Sequence, residues 1–231
     1  MRNVPPGIHT IRGVMSCCHL LVDDNAGVMV DTGLVGEPFL IHRLVRKLGL
    51  QPDSIKAILL THGHLDHAGN LAWLKDWTGA PVLAHAEERQ HVAGNYPYTD
   101  VARWCGRLEA AGRLLTRYRA GTIDEFITDG QELPFWGGLR VIHLPGHSAG
   151  HCGFFSARHN LLFSGDMFAS YFFNVHKPWP ILNSVPEFFP ASVEKVRRLA
   201  PRLVVPNHYD VLDGELHRRR FCRLFQVDDW A

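Results

Sequence analysis

The chain lacks the features that would send it to a membrane, a secretory route or a disulfide-stapled fold. No apolar run approaches the roughly 20 residues needed to cross a bilayer. The opening stretch, Met1 to Thr10, is polar and proline-bearing, without the charged start, apolar run and small-residue cleavage site of a secretory signal. Cysteine is sparse: Cys17, Cys18, Cys105, Cys152 and Cys222 are odd in number and have no CxxC spacing, and a vicinal Cys17–Cys18 bridge would be strained. Together these point to a reducing cytoplasm, with the thiols not acting as metal ligands. Charge of one sign is missing too: 24 Lys and Arg against 23 Asp and Glu leave a net +1, too little to draw in nucleic acid or an anionic membrane. A small-molecule substrate fits better. With 231 residues, 46% of them hydrophobic, the chain can bury one substantial core and is short for two, so a single domain over 1–231 is expected. There is no internal repeat and no low-complexity tract.

What the chain does have is histidine, 15 of them. Short strand patterns come first, at Ile8 to Arg12, His19 to Val22 and Val28 to Val30, the last ending in Asp31 Thr32 Gly33. Between Pro38 and Leu48, apolar residues at helical spacing predict a helix that Gly49 stops. The run Ala57 Ile58 Leu59 Leu60 reads as a strand buried on both faces and leads into Thr61 His62 Gly63 His64. Helices follow at Leu71 to Trp77 and Val101 to Tyr118, with a strand at Pro81 to Ala84 between them. Strand patterns resume at Leu139 to Leu144, Gly153 to Ser156 and Leu161 to Ser164. A helix from Pro186 to Leu199, a strand at Leu203 to Val205 and a terminal helix complete the chain. The mixture places the fold in the α/β class, built in layers. The stretch Met167 to Val185, aromatic and without period, reads as a long loop that is either a lid or a tucked surface segment.

His62 Gly63 His64 Leu65 Asp66 His67 is an HxHxDH pattern: four potential ligands within six residues, at the end of a buried strand. Imidazoles crowded beside a carboxylate gain little unless a cation organises them. In so short a loop, His62 and His64 can face one ion while Asp66 and His67 face another. His147, Asp166 and His208 each follow a strand pattern, and strand ends along one edge of a layered α/β fold are where sites are built. His143 and His151 flank His147 as candidates to orient it. The other histidines read as packing or surface residues, and His217 Arg218 Arg219 Arg220 as a solvated helix face.

In order and spacing, these motifs resemble the metallo-β-lactamase superfamily, from Val30 Asp31 Thr32 Gly33 to His208. The resemblance implies a four-layer αββα sandwich with a dinuclear site along one edge. It implies His62, His64 and His147 on one metal, Asp66, His67 and His208 on the other, Asp166 bridging them, and Asp31 supporting the histidine loop. Asp166 stands where β-lactamases of this fold carry Cys or Ser, which points away from antibiotics and towards the glyoxalase II-like branch. The chain between His208 and Ala231 is too short for the helical segment with which glyoxalase II binds glutathione, so a glutathione thioester is not the expected substrate. Lactonases of the quorum-quenching type place Tyr three residues after the bridging Asp, where this chain has Ala169 and, further on, Tyr171.

The nitrogen and oxygen ligand set suits two divalent ions, zinc by default, with iron or manganese admitted. The expected chemistry is hydrolysis of an ester, thioester or lactone by a metal-bridging hydroxide, with Asp66 and Asp166 as the catalytic carboxylates. A mononuclear iron persulfide dioxygenase, using His62, His147 and Asp166, is the alternative, although it would have no use for His208. A nuclease of the RNase Z branch is disfavoured by the balanced charge. The segments His85 to Gly130 and Met167 to Val185 are expected to line the pocket.

Overall fold

The computed structural model describes residues 3–96, 98–116 and 118–230. Met1, Arg2, Pro97, Arg117 and Ala231 lie outside the described residues, and with them the ends of the expected domain and one position of the helix expected through Tyr118.

Two mixed sheets form the middle of the molecule. The first contains β1 (Ile8–Arg12), β2 (Cys17–Asp23), β3 (Ala26–Val30), β4 (Ile55–Leu59), β5 (Val82–His85) and β6 (Glu125–Ile127), side by side in that order. β1 to β3 pair antiparallel, while β3 to β6 run parallel, so the C-terminal ends of β3, β4 and β5 share one edge. The second sheet runs β11 (Val175–His176), β10 (Leu161–Ser170), β9 (Cys152–Ser156), β8 (Leu139–His143), β7 (Glu132–Leu133), with β12 (Leu203–Tyr209) parallel along β10. The helices are α1 (Pro38–Lys47), α2 (Leu65–Ala68), α3 (Leu71–Thr78), α4 (Arg89–Val92), α5 (Arg103–Thr116), α6 (Phe189–Leu199) and α7 (Gly214–Phe225).

Three apolar clusters tie these elements into layers. Val28, Val30, Leu59, Val141, Phe154, Phe163 and Val205 fill the space between the sheets. Met29, Ile58 and Leu60 on the opposite face of the first sheet meet Ile41, Val45, Leu71 and Leu74 from α1 and α3. Leu162, Phe168 and Val204 on the outer face of the second sheet meet Val193, Val196 and Phe221 from α6 and α7. This is the αββα sandwich, and both faces of the central strands are covered, which is why the run after Lys56 is continuously apolar. Proline in the first turn of α1 and Gly49 at φ 71° just past its end delimit that helix as expected.

The structure corrects several expectations. Met167–Val185 is not one loop: Met167 to Ser170 extend β10, with Met167 and Phe168 fully packed, and β11 returns against Ala169 and Ser170. Apolar side chains that cover the outer face of the sheet keep the strand going past the polar Ser164–Gly165–Asp166. The end of the chain is not a wholly solvated face either. His217 and Arg218 are buried where α7 packs on the second sheet, His217 Nδ1 lying 2.7 Å from Ser170 Oγ and Arg218 pairing with Asp229. The helix expected from Pro186 begins as a 3-10 turn, Pro186–Phe188, before α6. Among the described residues no helix is long and apolar enough to cross a membrane, and all five cysteines are free.

Candidate metal centre

The shared edge of β3, β4 and β5 and the β10–β12 pair of the other sheet bring together all seven residues singled out from the sequence. His62 to His67 follow β4, with Asp66 and His67 in the single turn of α2. His147 lies in the loop between β8 and β9. Asp166 and His208 lie within β10 and β12, not beyond their ends as the sequence suggested. The β10–β12 ladder is irregular on both sides of Gly165, which sits at φ 54°; a Cβ there would overlap His151 Nε2. Glycine therefore allows the bulge that aims Asp166 out of the ladder.

One oxygen, Asp166 Oδ2, is the centre of the cluster. It lies 3.1 Å from His208 Nε2, 3.4 Å from His67 Nε2, 3.5 Å from His147 Nε2 and 4.0 Å from His62 Nε2. Asp66 Oδ2 is 3.5 Å from His67 Nε2 and 3.4 Å from His208 Nε2. Donor atoms of His62, His64 and His147, and separately of Asp66, His67 and His208, lie within 4.8 Å of one another. The two sets are those the family resemblance implies.

The far sides of His62, His64, His67 and His147 are already committed. Asp31, left-handed at φ 60°, accepts from Thr61 N, Thr61 Oγ1, Asn207 Nδ2 and His67 Nδ1, all between 2.7 and 2.9 Å. A carboxylate can only accept, so His67 donates from Nδ1 and turns Nε2 to the cluster, where, against burial, Asp166 and Asp66 hold its pKa well above the ordinary value. Thr61 Oγ1, having given its proton to Asp31, accepts from His62 Nδ1 at 3.0 Å. His147 Nδ1 donates to Asn183 Oδ1 at 3.1 Å. His64 Nε2 is 2.7 Å from the Tyr98 hydroxyl, leaving Nδ1 for the cluster. His151 is an orienting residue: its Nδ1 donates to Leu144 O and its Nε2 accepts from Asp166 N.

The facing atoms have no such partners. His62 Nε2, His67 Nε2, His147 Nε2 and Asp166 Oδ1 are buried without a hydrogen bond. Burial, then the neighbouring imidazoles, holds His62 well below its ordinary pKa, and burial does the same for His64, so both stay neutral lone-pair donors. Burial would raise the Asp166 pKa, but His208 and His67 outweigh it and keep the carboxylate ionised. Converging lone pairs, an ionised carboxylate and orphaned buried atoms are what a cation needs, and the donor set fits a pair of divalent ions.

Behind His64 lies a second polar cluster. Glu88, fully buried at the start of α4, accepts from Gly63 N at 2.8 Å, Ser148 Oγ at 2.6 Å and Gly150 N at 2.9 Å, tying the His62–His67 loop to the His147 loop. His91 donates to Glu109 at 2.9 Å and lies 3.5 Å from Glu88. Despite burial, hydrogen bonds from His91 and its neighbours bring Glu88 down to about 2. Glu109, Cys105 and His64 form a further donor group within 4.8 Å, but Glu109 is already held by His91 and Leu65 N. Burial pushes the Cys105 thiol up to about 12, away from the thiolate a metal needs. The sequence reading missed Glu88, His91, Tyr98, Glu109, Asn183 and Asn207, and no spacing signal marks them.

Comparison with known proteins identifies the family. The family model of the metallo-beta-lactamase superfamily matches residues 11–208. Hydroxyacylglutathione hydrolase GloC of Haemophilus influenzae is 31% identical over 159 residues, covering 65% of this chain and 65% of that protein. A beta-lactamase-like protein 2 homolog of Drosophila melanogaster is 27% identical, covering 90% of this chain and 62% of that protein. The chain thus spans a little under two thirds of the length of these curated relatives. Among solved structures, the class B3 di-zinc metallo-beta-lactamase LRA-12 from an Alaskan soil metagenome superposes with a TM-score of 0.73 at 19% identity, covering 98% of this chain and 89% of that one. The chain belongs to the metallo-beta-lactamase superfamily.

Proposed function

We propose that the chain is a dinuclear metal-dependent hydrolase that cleaves an ester, thioester or lactone of a small molecule. His62, His64 and His147 would hold one ion, Asp66, His67 and His208 the other, and Asp166 would serve both. The carrying observation is the convergence of the partnerless buried His62 Nε2, His67 Nε2 and His147 Nε2 on the Asp166 carboxylate, each ring fixed from behind. Zinc is the default for nitrogen and oxygen donors, with iron or manganese compatible. Support comes from the di-zinc enzyme with the same fold and from the hydroxyacylglutathione hydrolase relative, which also favours a glyoxalase II-like branch.

Two divalent ions held there would supply Lewis acidity, polarising a carbonyl and bringing the pKa of a water to about 7. The chain's own groups do the rest. Asp66, part-exposed to the cleft, accepts the water's proton and returns it to the leaving oxygen or sulfur. Asp31, Asn183, Thr61 and Tyr98 keep the imidazoles in the tautomers that face the site. Leu65, Leu108, Phe168 and Leu182 wall the cleft, excluding bulk water and strengthening electrostatic contacts within it.

Metal content, measured by inductively coupled plasma mass spectrometry on protein purified without chelator, and hydrolysis of a panel of esters, thioesters and lactones test this reading. Close to two zinc, iron or manganese ions per chain with hydrolytic turnover is the expected result. One iron per chain, oxygen uptake and no hydrolysis would overturn it in favour of a persulfide dioxygenase-like enzyme.

A further inference from the structure

The donor cluster lies where two half-clefts meet, and both are apolar. One, about 250 Å³, is walled by Phe168, Ala169, Tyr171, Pro178 and Trp179. The other, about 320 Å³, is walled by Met15, Leu34, Leu65, Cys105 and Leu108. They share His147, Asp166, Leu182 and His208, so anything spanning them lays its middle across the candidate metals. Several of the wall residues are strongly exposed: Met15 at 55%, Leu108 at 68% and Trp179 at 64%. Apolar side chains of this size, gathered on both lips of a cleft and continuous with its donors, mark surface that a ligand covers.

From this lining we infer that the substrate is an uncharged open-chain ester or thioester with apolar groups on both sides of the scissile carbonyl. The inference rests on the hydrolase reading above and narrows its substrate class. Each wall stabilises a bound alkyl group by removing it from water, and outside the donor cluster the described polar side chains are Tyr171 and His176 on one wall and Glu109 on the other. The carboxylate of the second wall, Glu109, is already engaged by His91 and Leu65 N, and among the described residues neither wall holds a Lys or Arg to pair with the carboxylates of glutathione or the phosphates of coenzyme A. In the reaction, the water's oxygen forms the new bond to the carbonyl carbon and the bond to the alcohol or thiol breaks. One of the water's protons passes to that leaving group and the other is released to solvent, so the products are a carboxylate and a neutral alcohol or thiol.

The test is a matrix of esters, acetyl to decanoyl on the acyl side and ethyl to hexyl on the alcohol side, assayed with metal-replete protein beside lactoylglutathione, decanoyl-coenzyme A and γ-decalactone. The expected result is a kcat/KM that rises about threefold per methylene along both series over the first few carbons. Trp179→Ala and Leu108→Asp, both at exposed positions, should each flatten one series by about tenfold and leave the other graded. A rate independent of chain length, or a tenfold preference for lactoylglutathione, decanoyl-coenzyme A or γ-decalactone over the matched ester, would overturn the inference while leaving the hydrolase reading standing. If nothing in the panel is hydrolysed, the hydrolase reading fails. Titration with uncharged dialkyl ketones, followed by tryptophan fluorescence, then decides the pocket chemistry alone: affinity that climbs with chain length supports it, and no binding rejects it.

Discussion

The donor cluster and the polar cluster behind it are built from the same materials, buried histidines and carboxylates, and they meet at Gly63 and His64. In the rear cluster every contact is closed: Glu88 accepts from three backbone or hydroxyl donors, Glu109 from Leu65 N and His91. In the front cluster His62, His67 and His147 are each tied at Nδ1, and their Nε2 atoms point at a common centre without a hydrogen bond. Burial without partners costs free energy, so a fold that keeps three such nitrogens converging on one carboxylate does so for something that binds there. The rear cluster, fully satisfied, sets the geometry of the front one.

Removing the centre should have the largest effect. Asp166→Ala takes away the oxygen that lies within 4.0 Å of four imidazoles. Metal content should fall to one ion per chain or fewer and hydrolysis by roughly 10³-fold, the scale of a lost electrostatic contact at a reacting centre. An active protein with a full complement of metal would show that the convergence is not the site.

Next comes the closed cluster. Glu88→Gln replaces an acceptor-only carboxylate by an amide whose NH2 meets N–H and O–H donors. The expected loss is about 3 kcal/mol of stability in urea unfolding, together with a metal affinity weakened about tenfold or more, because two ligand loops lose their common tie. A loss of stability with unchanged metal affinity would mean that Glu88 supports the fold alone.

A buried, partnerless nitrogen is not sufficient to identify a ligand, and His19 is the control. Its Nε2 is also orphaned, but it is packed between Phe163 and Tyr209, and its ring outlook is apolar. Burial, then Arg12, lowers its pKa from 6.5 to about 3. Below pH 6.5 the unfolded chain gains a proton that the folded chain refuses, so the stability this residue contributes is complete above 6.5 and is lost as pH falls towards 3. At pH 5 the loss is about 2 kcal/mol. His19→Gln should reduce the drop in the denaturation midpoint between pH 7.5 and pH 5 by that amount, with metal content unchanged.

The two clusters also differ in how far they could be read from the sequence. HxHxDH is legible because the chemistry is packed into one loop, and His147, Asp166 and His208 follow from the order of motifs after strand patterns. Asp31 was reached only through the family resemblance, since its partners Thr61 and His67 come from the segment after β4 and Asn207 from β12 in the other sheet. Glu88 and Glu109 carry no spacing at all: Glu88 meets Gly63 and Ser148 only after the sheets have packed, and a lone Glu on a helix reads as solvated surface. The continuation of β10 through Asp166 was hidden for a local reason. Ser164–Gly165–Asp166 has the composition of a turn, and only the apolar Met167 and Phe168 beyond it, buried under α7, show that the strand resumes.

The smallest effect tests the joint between the clusters. Tyr98 places its hydroxyl 2.7 Å from His64 Nε2 and 2.9 Å from His91 Nε2, which makes it the one direct hydrogen-bonded bridge described between a candidate ligand ring and the rear network. If the rear cluster fixes the tautomer of His64, Tyr98→Phe frees that ring to protonate at Nδ1, the nitrogen the front cluster needs. The cost in folding is one hydrogen bond, about 1 kcal/mol. The informative quantity is metal affinity, read by competition with a chromophoric chelator: a loss of several-fold, restricted to one of the two ions, is expected, because of the two proposed ion sets His64 belongs only to that of His62 and His147. An equal loss at both ions would mean that the hydroxyl supports the whole loop, and no loss at either would mean that Glu88, through Gly63, positions His64 by backbone alone.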